Sequence, residues 1–148
     1  MYARVRVRRA VTGTVLVAAL LAGCASTPAE ELKDWWDSGG DRSTKALSQT
    51  SGRVNEVSVR PMDVWGAACQ ELLAEVTKAK KLGTIPSDDA RGFWNDALGA
   101  FEHGSRECVA GSGAKDEPRA SEGIREVQKG ISRLAAAVSL IRGDLEGR

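Results

Sequence analysis

The sequence carries three cysteines, whose thiols can be acylated, oxidised in pairs or used as nucleophiles. Cys24 ends the tetrapeptide Leu21-Ala22-Gly23-Cys24, while Cys69 and Cys108 lie in later segments with helical periodicity. A catalytic thiol needs a neighbouring base. His103 is the only histidine, and its spacing of five residues from Cys108 puts the two on different faces of a helix. The sequence therefore does not favour thiol catalysis.

Other catalytic groups are equally sparse. A single histidine excludes a histidine-rich zinc site within one chain. His103 and Glu107 can share a helix face and hold a metal weakly, but a solvated histidine near a helix end is the favoured interpretation. We find no Gly-x-Ser-x-Gly elbow, phosphate-binding loop, dinucleotide fingerprint or calcium loop. We expect no catalytic residue, no metal and no cofactor.

The carboxylate pairs Glu30-Glu31 and Asp88-Asp89 lie where the starts of helices favour negative charge. An enzyme that relies on carboxylates alone would need at least two of Glu102, Glu107, Asp88 and Asp89 to meet in one cleft.

The first 23 residues have the parts of an export signal. The apolar stretch from Ala10 to Leu21 would span about 18 Å as a helix, against about 30 Å for the hydrocarbon core of a bilayer. This length is typical of a signal peptide and too short for a membrane span. The stretch follows four basic residues, Arg4, Arg6, Arg8 and Arg9.

Together with Leu21-Ala22-Gly23-Cys24, this leader resembles the signal of bacterial lipoproteins. The resemblance implies removal of residues 1–23 and attachment of diacylglycerol, with fatty acids such as palmitate, to Cys24. The protein would then be lipid-anchored on the extracytoplasmic face of the cell membrane, or at the outer membrane in a host with two membranes. The alternative is an ordinary secretory signal in which Cys24 is incidental, and Arg8-Arg9 leaves open a twin-arginine export route.

Assignment of Cys24 to the lipid leaves Cys69 and Cys108, which can form a disulfide in an oxidising compartment. The bond would close a loop of about 40 residues, worth roughly 4 kcal/mol on the chain-entropy model. Two separate buried thiols are the alternative.

The charge balance argues against a nucleic-acid partner. The whole chain of 148 residues has 21 basic and 20 acidic residues. The leader holds four arginines and no acidic residue, so the rest has 17 basic and 20 acidic residues. A net charge of −3 provides no basic field for nucleic acid.

Helix signals cover most of the mature chain. Thr27-Pro28-Ala29-Glu30 has the pattern of a capping box and predicts a short helix to about Asp37. Residues 41–59 are expected to be helical, with a short strand near Val54 as the alternative. Residues 63–82 carry an apolar stripe, and Ser87 can cap the next helix, which we expect Gly111 and Gly113 to end. The most regular stripe follows Pro118: Ile124, Val127, Ile131, Leu134, Val138, Ile141 and Leu145.

These patterns predict an all-α fold, a small bundle of three or four helices with antiparallel neighbours. The expected division is a signal peptide at 1–23, a lipidated tether with a short helix at 24–40 and a bundle domain at 41–148. A Cys69–Cys108 bond adds a constraint. The cysteines would lie about 20 Å and about 30 Å from the turn between their helices, so these helices must be staggered by a turn or two.

Trp35 and Trp36 are adjacent and point about 100° apart on a helix, so one of them can remain exposed. An exposed tryptophan near the anchor suits either the membrane interface or an envelope protein partner. Alternatively, the pair covers one open end of the bundle.

The mature part of the chain is similar to small helical exported proteins of actinobacteria. The resemblance rests on Trp65-x3-Cys69 followed by Ile85-Pro86, Trp94 and Cys108, and it implies no activity.

The sequence therefore predicts a non-enzymatic, membrane-anchored domain with a binding or accessory role in the cell envelope. The alternative is a small-molecule carrier with a pocket between helices.

Overall fold

A computed structural model describes residues 26–147, and within them the predicted all-α fold is confirmed. No strand occurs in this range, so the alternative of a strand near Val54 was wrong. The leader and Cys24 lie outside the described residues. The five α-helices are α1 (Pro28–Trp35), α2 (Asp41–Val57), α3 (Trp65–Lys80), α4 (Asp88–Ala114) and α5 (Glu117–Leu145). A π-helical turn, Trp36–Gly40, joins α1 to α2, and a 3-10 turn, Met62–Val64, precedes α3.

Helices α2 to α5 form an antiparallel bundle. Helix α3 packs between α2 and α4, and α5 packs between α4 and α2, so that the four helices close into a ring. Helix α1 packs on α5 at the end of the bundle where α4 begins. The Ser87 hydroxyl ties this end together, since it donates a 2.6 Å hydrogen bond to Asp144 at the end of α5.

The two predicted N-caps are present. The backbone N–H of Thr27 donates to the Glu30 carboxylate at 2.8 Å, and the N–H of Glu30 donates to Thr27 Oγ1 at 3.3 Å. This is the reciprocal capping box. At α4 the N–H of Ala90 donates to Ser87 Oγ at 3.1 Å. These bonds satisfy backbone donors that the first helical turn leaves free.

The bundle is staggered, as the cysteine positions require. Cys69 lies about 16 Å before the end of α3, whereas Cys108 lies about 30 Å from the start of α4. The first turns of α4 therefore extend past α3. Helix α1 covers this overhang, because the Trp35 ring packs edge-on against Trp94 of α4, with ring centroids 5.6 Å apart. Leu32 and Trp35 are buried, so the short helix contributes to the same core as the bundle.

Helices α4 and α5 approach so closely that glycine is required at their contact. A Cβ atom at Gly123 would lie 2.4 Å from the backbone nitrogen of Cys108, and one at Gly111 would lie 2.4 Å from that of Ala120. The expectation that Gly111 and Gly113 end α4 was wrong: the helix continues to Ala114 and ends at Lys115 in a left-handed conformation. Gly111 serves close packing because tertiary contact overrides its weak helix propensity.

Candidate functional site

Cys69 and Cys108 form the predicted disulfide, with an S–S distance of 2.03 Å and a Cα–Cα distance of 6.2 Å. Both residues are fully buried between α3 and α4. One helical turn further along, Gly66 of α3 lies beside Ser112 of α4. A Cβ atom added to Gly66 would lie 3.3 Å from the Cβ atom of Ser112. The bond joins the two helices near the end of the bundle remote from α1. Because the sulfurs are bonded and buried, neither cysteine offers a free thiolate for catalysis.

The two adjacent tryptophans have different environments. Trp35 is only 7% exposed, and its ring belongs to the core beside Trp94. Trp36 is half-buried, with its ring centroid 6.4 Å from that of Trp35. Of the pair proposed as a partner or membrane contact, Trp36 is the accessible member. Because Trp35 is buried, it can affect such a contact only through its packing against Trp36.

Two of the candidate carboxylates, Glu102 and Glu107, pair with different cations. Glu107 accepts hydrogen bonds from Arg119 of α5 at 2.7 and 3.2 Å. Glu102 pairs with Lys80 of α3 and accepts from Arg106 at 2.8 Å. Asp88 and Asp89, at the start of α4, lie about 20 Å from Glu102 along the helix axis. The four groups therefore do not meet in one cleft.

His103 is exposed on α4. Within residues 26–147 no group of three or more histidine, cysteine, aspartate or glutamate side chains could hold a metal ion. Glu107, which shares a helix face with His103 in the sequence interpretation, pairs with Arg119.

The ion pairs lower the carboxyl pKa values. The hydrogen bond from Lys80 lowers the pKa of Glu102, with further attraction from Lys80 and Arg106. The hydrogen bond from Arg119 likewise lowers the pKa of Glu107. Both glutamates remain charged well into the acidic range, so neither is suited to act as a general acid near neutral pH.

We expect the Glu102→Gln variant to lose less stability on acidification than the parent protein. Because the folded-state pKa of Glu102 is lowered, its ion pairs contribute stability above the ordinary value of 4.5. That contribution disappears as the pH falls through the folded-state pKa. The free energies of unfolding from urea titrations at neutral pH and at about pH 3 should differ less in the variant, with a change of under about 1 kcal/mol for so exposed a pair.

Asp96→Asn is the matched control, because Asp96 is exposed on the same helix and makes no ion pair within the described residues. An equal reduction in both variants would contradict the assignment to Glu102.

Two solvent-open grooves run between helices. The α4–α5 groove encloses about 790 Å³, and on its wall the Arg133 guanidinium lies 6.0 Å from the centre of the Phe93 ring. The α2–α5 groove encloses about 560 Å³. Its lining combines an aliphatic wall, small residues and a charged end: Ser48, Ser51, Gly52, Ile131, Leu134, Ala135, Val138, Ser139, Arg142 and Glu146.

The sequence interpretation missed the α2–α5 groove because it followed apolar stripes. The available signal was the cluster of small residues Ser48, Ser51 and Gly52 on one side of α2. A helix face without bulky side chains leaves room against its neighbour unless that neighbour approaches closely.

Comparisons with protein-family models, with curated proteins and with solved structures found no match for this chain. Among residues 26–147, no helix combines the length and apolar character needed to cross a bilayer.

Proposed function

We propose that the chain is a membrane-anchored bacterial lipoprotein whose helical domain has a non-enzymatic binding or accessory role in the cell envelope. The observation that carries this proposal is Leu21-Ala22-Gly23-Cys24 after an apolar stretch with basic residues before it. The Cys69–Cys108 disulfide supports it in two ways. It is typical of an exported protein, and of the three cysteines in the sequence it uses the two other than Cys24.

A lipid on Cys24 would set the orientation of the domain. Ser26, the first described residue, follows Cys24 by two positions, so the connecting chain can reach only about 7 Å. The end of the bundle that carries α1 would therefore face the bilayer. Trp36 lies at this end and provides a half-buried aromatic ring for the membrane interface or for a neighbouring protein.

Cys24→Ser tests the anchor. We expect the parent protein in the membrane fraction and the variant largely outside it, because serine cannot form the thioether that holds the diacylglycerol. Cell fractionation followed by immunoblotting measures the distribution. Ser26→Ala is the control, because it alters the same tether and keeps the cysteine. Membrane association of Cys24→Ser at the parent's level would contradict the proposal.

A second candidate function is that of a small-molecule carrier. The α2–α5 groove favours it, because it combines an apolar wall with serine hydroxyls and with charged groups at one end, as ligand sites commonly do.

A further inference from the structure

We propose that the α2–α5 groove binds a single-chain amphiphile with a zwitterionic head group, of the lysophospholipid class. This inference deepens the carrier candidate and does not depend on lipidation of Cys24. The groove supplies three features that such a ligand needs: an apolar wall, open space beside it and a pair of opposite charges at one end.

The apolar wall lies on α5. Ile131, Leu134 and Val138 follow one another at spacings of three and four, so they form one stripe. From Ile131 to Arg142 the helix rises about 16 Å, a length comparable to an extended acyl chain of medium length. Leu134 is buried, whereas Ile131 and Val138 are only half-buried, and a bound hydrocarbon would cover their remaining surface.

The open space lies on α2. Ser48, Ser51 and Gly52 line the facing side of the groove. A Cβ atom at Gly52 would meet nothing within 4 Å. At the end of the groove away from Arg142, a 2.9 Å hydrogen bond from the Gln128 side chain to that of Asn55 joins α5 to α2. A tail can therefore lie between the helices without displacing a side chain from the core.

The charged end distinguishes an amphiphile from a plain hydrocarbon. Arg142 and Glu146 are one helical turn apart and line the groove at the end of the bundle that carries α1. A guanidinium beside a carboxylate complements a head group that carries a phosphate and an ammonium. The order along the groove is then a tail on the aliphatic wall and a head at Arg142 and Glu146.

The proposed occupant is a separate molecule and not the diacylglycerol proposed for Cys24. Pro28 and Ala29 of α1 line one small pocket together with Asp144 and Gly147 of α5. Asp144 and Arg142 are about 200° apart around the helix. The start of α1 therefore lies on the side of α5 opposite the groove.

Photo-crosslinking tests the proposal. The full-length protein in phosphatidylcholine vesicles is irradiated with myristoyl lysophosphatidylethanolamine that carries a diazirine on its tail, and labelled peptides are mapped by mass spectrometry. We expect labelling of α5 between Ile131 and Arg142. Gly52→Leu should abolish it by filling the groove, and Arg142→Gln should weaken it about tenfold by removing a charged hydrogen bond.

Gly92→Leu is the matched control, because Gly92 is also an exposed helical glycine with nothing near its Cβ position, yet it lies outside the groove. Both leucine variants should fold, since leucine forms helices better than glycine. Labelling that survives Gly52→Leu, or that lies elsewhere on the bundle, would overturn the proposal. A cationic or anionic probe with the same tail that labels the groove as strongly as the zwitterionic probe would do so too. The probe can also be used in solution below its micellar concentration, which separates this result from failure of the anchor.

Discussion

Gly123→Ala is expected to destabilise the bundle by about 2–3 kcal/mol, although alanine is the better helix former. The added methyl group would lie 2.4 Å from the backbone nitrogen of Cys108 and 2.5 Å from the carbonyl oxygen of Gly104. Both contacts are with backbone atoms, which cannot rotate away as a side chain can. Helices α4 and α5 would have to separate, and packing along their whole contact would loosen.

The control for this prediction is Gly99→Ala. Gly99 lies on α4 with nothing within 4 Å of its Cβ position, so the substitution should raise the free energy of unfolding by about 0.5–1 kcal/mol. Urea unfolding followed by tryptophan fluorescence measures both variants. If the two alanines changed stability in the same direction, the close approach of α4 to α5 would be wrong.

Loss of the Cys69–Cys108 disulfide is expected to cost roughly 4 kcal/mol in the free energy of unfolding. The bond closes a chain segment with a sequence separation of 39 residues. Its removal raises the conformational entropy of the unfolded ensemble more than that of the folded bundle. The double variant Cys69→Ala, Cys108→Ala should lose somewhat more, because both sulfurs are fully buried and their removal leaves a cavity.

The reduced parent protein separates these two effects. Reduction in denaturant, followed by refolding with the thiols kept reduced, removes the crosslink and keeps the sulfur atoms in the core. Free energies of unfolding for the oxidised, reduced and double-alanine proteins should fall in that order. An oxidised protein no more stable than the reduced one would show that the bond does not restrict the unfolded chain as expected.

Local chemistry made much of this fold predictable from sequence. Thr27 and Ser87 cap helices because their hydroxyls accept the free N–H groups of the first turn, an interaction that needs only neighbouring residues. The apolar stripe after Pro118 identified α5 because spacings of three and four residues place its side chains on one face of a helix. Cysteine counting gave the disulfide, and the positions of Cys69 and Cys108 required the stagger that the structure contains.

Features that depend on contacts between distant residues could not be predicted. Gly111 had the pattern of a helix end, and only its contact with Ala120 explains why it lies inside α4. The α2–α5 groove depends on how closely α2 approaches α5, and Ser51 and Gly52 alone do not determine that distance. The separation of Trp35 from Trp36 likewise follows from the overhang of α4, because Trp94 provides the surface that buries one ring of the pair.

The intact mass of the protein extracted from membranes tests the proposed anchor most directly. We predict one species that lacks residues 1–23, carries diacylglycerol on Cys24 and is lighter than the dithiol form by the hydrogens that a disulfide removes. A species that retains Met1 and carries no lipid would contradict lipid anchoring at Cys24.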